Sequence, residues 1–319
     1  MKKRKLGKTD LNVSEIGLGC WQLGGLSIIN DVSTTYGDVD ESTAYKIVET
    51  ALEMGINTFD TADSYSQGNS EKRLGNIFKE CRDEVYIFTK AGNILSNNTS
   101  TVFEINLSSD YLISSLAKSL VRLQTDYVDL FQAHKAPQSE EDFVHLENAF
   151  TKIKASSMAR FCGVSIGREY EKGIDLIERG IVDSLQLYFS LIDFESSEIL
   201  FSLAQKNNVG IIVAEPLCQG FLTGKYRSGF TFPKTDVRSG IDVDTLNGKI
   251  KKTNEFLFLE NNKRSLSQNA LSYVLSYDEV STCIPGAKSI DHIKQNCQAS
   301  EFRLNEDELK KISFIQKNW

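Results

Sequence analysis

The chain has 319 residues, of which 40% are hydrophobic and 25% charged, and its formal net charge is −7. These are the proportions of an ordinary globular protein, and they exclude a disordered or fibrous class. The acidic balance argues against nonspecific nucleic-acid binding, because no basic excess is available to neutralise phosphates. No linker or low-complexity block divides the chain, so we expect a single domain over residues 1–319.

Targeting and metal-binding patterns are not found in the sequence. The basic residues 1–5 are followed by Leu6-Gly7-Lys8-Thr9-Asp10 rather than by an apolar stretch, and no segment reaches the roughly 18 apolar residues of a membrane span. The six cysteines are scattered, with no CxxC pair and no zinc-type Cys/His spacing. We therefore expect a soluble, cytoplasmic protein with buried free thiols and no metal.

Short apolar runs alternate with segments of helical period, a pattern that predicts a parallel sheet with crossover helices. The predicted strands end near Asp60, Lys90, His134, Ser165, Tyr188, Ala214, Pro285 and Phe302. Eight βα units predict a (β/α)8 TIM barrel. Ahead of them, residues 11–19 alternate as a β-hairpin does and are predicted to plug the barrel. A doubly wound open sheet is the alternative, but no GxGxxG follows the first strand.

Helix boundaries are marked by capping residues and glycine. Five helices are predicted, from Asp40-Glu41 to Met54, from Ser108 to Leu123, from Glu140 towards Met158, from Ser267 to Tyr277 and from Asn305 to Ile315. The step from Ala214 to Pro285 is too long for one βα unit. We therefore predict a long polar loop over about residues 225–264, after the sixth strand, of the kind that is usually functional.

Four polar residues lie where predicted strands stop: Asp60, Tyr65 shortly after it, Lys90 and His134. In a barrel of parallel strands such side chains converge on one face, so the four are expected to share a pocket. Tyr65 is the candidate proton donor, and Lys90 is expected to lower its pKa by favouring phenolate. Asp60 would hold Lys90, and His134 would be a second donor. The alternative is that the tyrosine and histidine only pack.

The same residues occur in an order found in a known family: Gly17-Leu18-Gly19-Cys20-Trp21-Gln22, Asn57-Thr58-Phe59-Asp60-Thr61-Ala62-Asp63-Ser64-Tyr65, Phe88-Thr89-Lys90, Asp126-Tyr127-Val128-Asp129-Leu130 and Gly163-Val164-Ser165. The chain resembles the aldo-keto reductase family, in the bacterial-type branch similar to potassium-channel β subunits. The resemblance implies a barrel that binds NADPH in extended form, with NAD(H) less expected, and reduces an aldehyde, ketone or sugar-like carbonyl. Tyr65 would be the acid. A small carbonyl substrate is expected as partner, without nucleic acid or membrane, and an oligomer stays open.

The resemblance also implies which residues hold the cofactor and substrate. Those matching the cofactor contacts are Gly19, Cys20, Trp21, Ser165, Gln186, Pro216, Leu217, Gly220, Lys225, Gly286, Lys288, His292, Gln295 and Asn296. Trp21, Tyr65 and His134 would line the substrate pocket, and Lys288 would pair with a 2′-phosphate. Four positions depart from the family. Ile166 stands where an Asn is usual, Ala214 where many members stack an aromatic ring on the nicotinamide, His292 where a Gln is usual and Gln295 where a Glu is usual.

Two other functions stay open, the first of them because of Ile166 and Ala214. One is a nicotinamide-binding redox sensor or regulatory subunit with little turnover, although such a module has no need of four catalytic residues. The other is a dehydrogenase that runs with NAD from the alcohol side. A comparison of NADPH binding with NADH binding would distinguish this NAD-dependent dehydrogenase from an NADPH-dependent reductase.

Overall fold

This computed structural model describes residues 1–95 and 103–319. The strands are β1 (Lys3–Lys5), β2 (Asn12–Ser14), β3 (Leu18–Gly19), β4 (Ile28–Ile29), β5 (Val32–Ser33), β6 (Thr58–Asp60), β7 (Tyr86–Ala91), β8 (Asn93–Leu95), β9 (Phe103–Ile105), β10 (Val128–Ala133), β11 (Ala159–Gly167), β12 (Ser184–Tyr188), β13 (Gly210–Ala214) and β14 (Val280–Cys283). The α-helices are α1 (Glu41–Glu53), α2 (Asn69–Phe78), α3 (Ser109–Leu123), α4 (Glu140–Ala155), α5 (Tyr170–Glu178), α6 (Ser202–Lys206), α7 (Val243–Asn254), α8 (Leu266–Leu275), α9 (Ile290–Gln298) and α10 (Glu306–Lys317).

Eight parallel strands form the predicted barrel, in the order β3-β6-β7-β10-β11-β12-β13-β14. Parallel bridges from Ile16 to Cys283 and from Gly19 to Gly286 join its first and last strands. Gly19 is required at this seam, because a Cβ there would lie 2.6 Å from the carbonyl oxygen of Ile284. The barrel places the C-terminal ends of distant strands around one opening.

One predicted strand is wrong. The strand expected to end near Phe302 does not form, since Ala299–Glu301 is a 3₁₀ turn, and the missing barrel strand is β3 at Leu18–Gly19. A two-residue strand that follows Gly17 and ends at Gly19 leaves no run of apolar residues long enough to recognise. Its barrel position is decided by pairing with β6 and by the bridges to the β14 end, both distant in sequence.

The N-terminal plug is confirmed, with shifted bounds. The hairpin pairs β1 with β2, over Lys3–Lys5 and Asn12–Ser14, rather than residues 11–19. Leu6, Leu11 and Val13 are fully buried and pack with barrel side chains that include Phe88 and Leu130. Phe88 precedes Lys90 by two residues and so points to the same side of β7. The hairpin therefore fills the barrel interior below the level of Lys90.

Shortening a plug side chain should destabilise the whole barrel. Leu11→Ala is expected to lower the free energy of unfolding by about 2–5 kcal/mol, because Leu11 is fully buried and its removal leaves a cavity. Val121→Ala is the matched control, since Val121 is 78% exposed and should change stability by less than about 0.5 kcal/mol. Urea unfolding of both variants measures the difference, and equal stabilities would contradict the plug.

The predicted helices are confirmed as α1, α3, α4, α8 and α10, each within a few residues of its expected ends. Asp40 caps α1 by accepting the amide of Thr43, as its type predicts. The loop expected over residues 225–264 is only partly a loop, because it contains α7. That helix buries only Leu246, Ile250 and Thr253. Such a narrow apolar stripe among polar residues is too weak a helical period to predict a helix.

No helix among the described residues is long and apolar enough to cross a membrane. All six cysteines are free thiols, and every one except the partly exposed Cys81 is buried.

Candidate active site

Asp60, Lys90 and Tyr65 form a connected group at the C-terminal ends of β6 and β7. Lys90 is fully buried and is ion-paired with Asp60, which is 1% exposed. The Lys90 ammonium also donates to the carbonyl oxygen of Thr61 at 2.9 Å and to the hydroxyl of Tyr65 at 3.3 Å. The three donor directions of one ammonium therefore tie a carboxylate, a backbone carbonyl and a phenol together.

Two glutamines hold the other oxygen of Asp60. Gln186 donates to Asp60 Oδ2 at 2.8 Å, and Gln132 donates to the same oxygen at 3.2 Å. The amide oxygen of Gln186 accepts from the hydroxyl of Ser165 at 3.4 Å. The structure thus places Gln186 beneath the four-residue group, where its nitrogen orients Asp60. Gln132 was missed in the sequence because it lies inside an apolar strand with no motif around it.

The expected direction of the Tyr65 pKa shift is wrong. Burial raises the pKa of Tyr65 well above its ordinary value, and the negative charge of Asp60 raises it further. The positive charge of Lys90 does not lower the pKa of Tyr65, because Asp60 compensates that charge and the phenol is also removed from water. Tyr65 therefore carries its proton firmly, and Lys90 is placed to stabilise the phenolate that donation leaves behind.

His134 directly follows β10 and lies beside Tyr65. The two rings are 5.7 Å apart at their centroids and meet edge to face at 74°. Burial lowers the pKa of His134 well below its usual value, and the charges of Lys90 and Lys135 act in the same direction. The imidazole is therefore neutral and can donate one N–H.

A cavity of about 690 Å³ opens above this group. Asp60, Tyr65 and His134 line it, and Lys90 is buried behind them. The structure brings every residue expected to contact the cofactor to the same cavity: Gly19, Cys20, Trp21, Ser165, Gln186, Pro216, Leu217, Gly220, Lys225, Gly286, Lys288, His292, Gln295 and Asn296.

Aromatic rings form one wall of the cavity. Trp21 stacks on Tyr65 with ring centroids 5.6 Å apart and meets Tyr36 edge to face at 4.9 Å. Ala214 of β13 pairs in register with Tyr188 of β12, and both residues line the cavity. An aromatic ring is thus present beside the position where Ala214 lacks one.

Cationic side chains gather in another part of the cavity wall. Lys225, Arg238 and Lys288 all line it, together with His292 near the start of α9. The Lys288 ammonium donates to the carbonyl oxygen of Tyr36 at 2.6 Å, which connects this part to the aromatic wall. Positive charge and exposed backbone N–H groups at a helix start both favour a phosphate.

Residues 225–264, called the strap below, are fastened across the cavity. Val237 donates its amide to the carbonyl oxygen of Thr35 at 2.7 Å, and Tyr36 forms an antiparallel bridge with Asp236. Arg238 donates to the carbonyl oxygen of Gln219 at 2.6 Å. Asp236 and Arg238 were missed in the sequence, because a polar loop has no periodicity that marks its contact residues.

The residues present fit a dinucleotide that carries a nicotinamide and phosphates. Their donor set supplies a proton donor beside an aromatic wall and, in the same cavity, cations for an anionic group. Gly286, which lines the same cavity, has to be glycine, because a Cβ there would overlap the side chain of Gln22. Within residues 1–95 and 103–319, no group of three or more His, Cys, Asp or Glu side chains is arranged to hold a metal.

Asp63 lies in the turn after β6, where its backbone N–H donates to the carbonyl oxygen of Lys90, and it should make the free energy of unfolding depend on pH. Burial raises the pKa of Asp63 from 3.8 to about 7, and the negative charge of Glu71 acts in the same direction. The folded protein therefore binds this proton more tightly than the unfolded chain, and stability is lost as pH rises from about 4 to about 7. Asp63→Asn should gain about 2–3 kcal/mol relative to the parent between pH 5 and pH 8.

Urea titrations of the parent and the Asp63→Asn variant at the two pH values measure this change. Asp83→Asn removes a carboxylate that is exposed to solvent, and it should show no such trend. A stability difference between Asp63→Asn and the parent that is the same at both pH values would contradict the prediction.

Comparison with known proteins adds independent support. A model of the Aldo/keto reductase family matches residues 15–317. The chain is 30% identical over 319 residues to the uncharacterized oxidoreductase YqkF of Bacillus subtilis, covering 98% of this chain and 95% of that protein. It is 32% identical over 341 residues to a putative voltage-gated potassium channel subunit beta of Schizosaccharomyces pombe, covering 98% and 92%.

Among solved structures, the holo form of aldo-keto reductase AKR11C1 from Bacillus halodurans matches with a TM-score of 0.81 and 31% identity, over 99% of this chain and 96% of that one. The barrel, the strand-end residues and these matches agree over nearly the whole chain. The chain belongs to the aldo/keto reductase family.

Proposed function

We propose that this protein reduces the carbonyl of a small aldehyde, ketone or sugar-like molecule with NADPH, and that Tyr65 donates the proton. The observation that carries the proposal is the contact of Tyr65 with Lys90, itself ion-paired with Asp60, beside a neutral His134. A packing tyrosine does not need a buried ammonium 3.3 Å from its hydroxyl. The oxidoreductase name of the Bacillus subtilis relative agrees with this activity.

The nicotinamide supplies a hydride to the carbonyl carbon when the cofactor is bound. Negative charge then develops on the carbonyl oxygen, and a positioned acid must donate to it. Tyr65 gives its phenolic proton to that oxygen, and the N–H of neutral His134 orients it. Lys90 stabilises the resulting phenolate, which regains a proton from solvent. Asp60 and the two glutamines keep the ammonium of Lys90 in place.

Lys225, Lys288 and the start of α9 would hold the phosphates of the cofactor, and Ser165 with Gln186 would face the nicotinamide. Gln186 already donates to Asp60, and its amide oxygen, which accepts from Ser165, keeps a second lone pair that could accept from a carboxamide N–H. The Ile166 side chain cannot take part, because it has no hydrogen-bonding group and packs towards Gly173 of α5. Ser165 and Gln186 alone would orient the carboxamide.

The test is a fluorescence titration of the protein with NADPH and with NADH, followed by a panel of aldehydes, ketones and sugars. Nucleotide binding with consumption on any carbonyl is the expected result. Tight binding without turnover on the whole panel would favour the sensor function instead, which the similarity to a potassium channel subunit makes a specific alternative. Absence of nucleotide binding would contradict both.

A further inference from the structure

Arg238 lies in the strap and lines the cavity, and almost all of its side-chain N–H groups already donate hydrogen bonds. Its Nε donates to Asp236 Oδ1 at 2.9 Å and its Nη2 donates to Asp236 Oδ2 at 2.6 Å. Its Nη1 donates to the carbonyl oxygen of Gln219 at 2.6 Å and to the hydroxyl of Tyr226 at 2.8 Å. A guanidinium has five N–H groups, so one N–H on Nη2 is left over among the described residues.

Asp236 takes the two donors that a phosphate would use best. It is 4% exposed, and its carboxylate meets the Nε–Nη2 edge of Arg238 in the bidentate geometry that arginine also uses for phosphate. Arg238 cannot offer that edge to a ligand without leaving Asp236. The guanidinium is also held in place by the ring of Phe232, 4.2 Å from its centre, so rotation away is opposed by packing.

Asp236 also acts on the neighbouring lysine. Arg238 lies over the ring of Tyr36 at 5.1 Å, and Lys288 donates to the carbonyl oxygen of the same residue at 2.6 Å. The charge of Asp236 is felt by Lys288, as it opposes the lowering of the Lys288 pKa that burial causes. A dianionic group approaching Lys288 would therefore meet a buried carboxylate as well as the cations.

We propose that Asp236 is a positioning residue that sets the choice between NADPH and NADH, by holding Arg238 away from a 2′-phosphate. A carboxylate at this place denies NADPH a bidentate contact with its 2′-phosphate and repels that phosphate. NADH carries no 2′-phosphate and is affected in neither way. The wild-type protein therefore prefers NADPH by less than about tenfold, because Lys288 remains as a single point charge for the phosphate. This inference rests on the proposed function, since it needs a nucleotide in the cavity.

The experiment compares dissociation constants for NADPH and NADH, without carbonyl substrate, in the wild type and in Asp236→Asn. The variant keeps the shape of the side chain, removes its charge and replaces the Oδ2 acceptor of Arg238 Nη2 by an amide nitrogen, so the bidentate contact with the guanidinium edge is broken. The ratio of the NADH to the NADPH constant should rise by about tenfold, chiefly through tighter NADPH binding. Adenosine 2′-monophosphate should compete more strongly in the variant than in the wild type, and adenosine 5′-monophosphate equally in both.

Asp242→Asn is the matched control. Asp242 lies in the same strap, is exposed and caps α7, and asparagine caps a helix equally well. The substitution therefore removes a charge from the strap but leaves the contact between Arg238 and Asp236 intact. Its affinity ratio should stay within about twofold of wild type. A purely structural role for Asp236 would weaken both nucleotides alike and leave the ratio unchanged.

Three results would overturn the inference. They are a wild-type preference for NADPH above tenfold, an unchanged ratio in a folded Asp236→Asn, and an unchanged response to adenosine 2′-monophosphate. The wild-type ratio decides the matter if the variant does not fold, and Asp236→Ser offers a second variant. A wild-type protein that binds neither nucleotide would instead contradict the proposed function, so the two failures are distinguishable.

Discussion

Tyr65→Phe should lower kcat for carbonyl reduction by about 10³-fold, because the variant keeps the ring and loses the proton donor that Lys90 contacts. The dissociation constant for NADPH should change by less than about twofold, since the ring still stacks on Trp21. Steady-state kinetics on the best carbonyl of the panel, with a fluorescence titration of the same sample, measure both quantities.

Tyr45→Phe is the control for this substitution. Tyr45 lies in α1 and is 50% exposed, so loss of its hydroxyl should leave kcat unchanged. If Tyr65→Phe keeps kcat within tenfold of the parent, another group donates the proton, and His134 becomes the candidate. If both variants lose activity equally, the loss reports folding rather than chemistry.

Lys90→Met should destabilise the protein by about 3–5 kcal/mol and abolish reduction. The substitution leaves the carboxylate of Asp60, which is 1% exposed, without its ion-pair partner in the barrel interior. The glutamine donors remain, but two neutral amides do not replace an ammonium. Urea unfolding measures the loss of stability, and single-turnover kinetics measure the loss of reduction.

The double variant Asp60→Asn with Lys90→Met separates the two effects. Removing the uncompensated carboxylate should restore at least half of the lost stability, while activity stays absent. Lys310→Met is the control, because the Lys310–Glu306 pair lies on the exposed side of α10 and contributes little. A Lys90→Met protein as stable as the parent would contradict the prediction.

Several features followed from local sequence alone. Alternating apolar and helical segments predicted the parallel barrel, because strand and helix periods are properties of short windows. The four residues Asp60, Tyr65, Lys90 and His134 were recognised because each stands at the end of such a window. Strand ends of a parallel barrel meet at one opening whatever the loops do, so their convergence needed no knowledge of the loops.

Other features were decided by contacts between residues far apart in the chain. Strand β3 is recognisable only by its pairing with β6 and with the β14 end, and α7 is positioned by packing of the strap. The rise of the Tyr65 pKa depends on how much water the folded barrel excludes, which no spacing reports. The sequence by itself therefore determined the barrel and the convergence of Asp60, Tyr65, Lys90 and His134 at its opening. The tertiary structure alone decided the direction of the pKa shifts of Tyr65 and His134 and the pairing of Arg238 with Asp236, because burial and charge balance are sums over neighbours that only folding brings together.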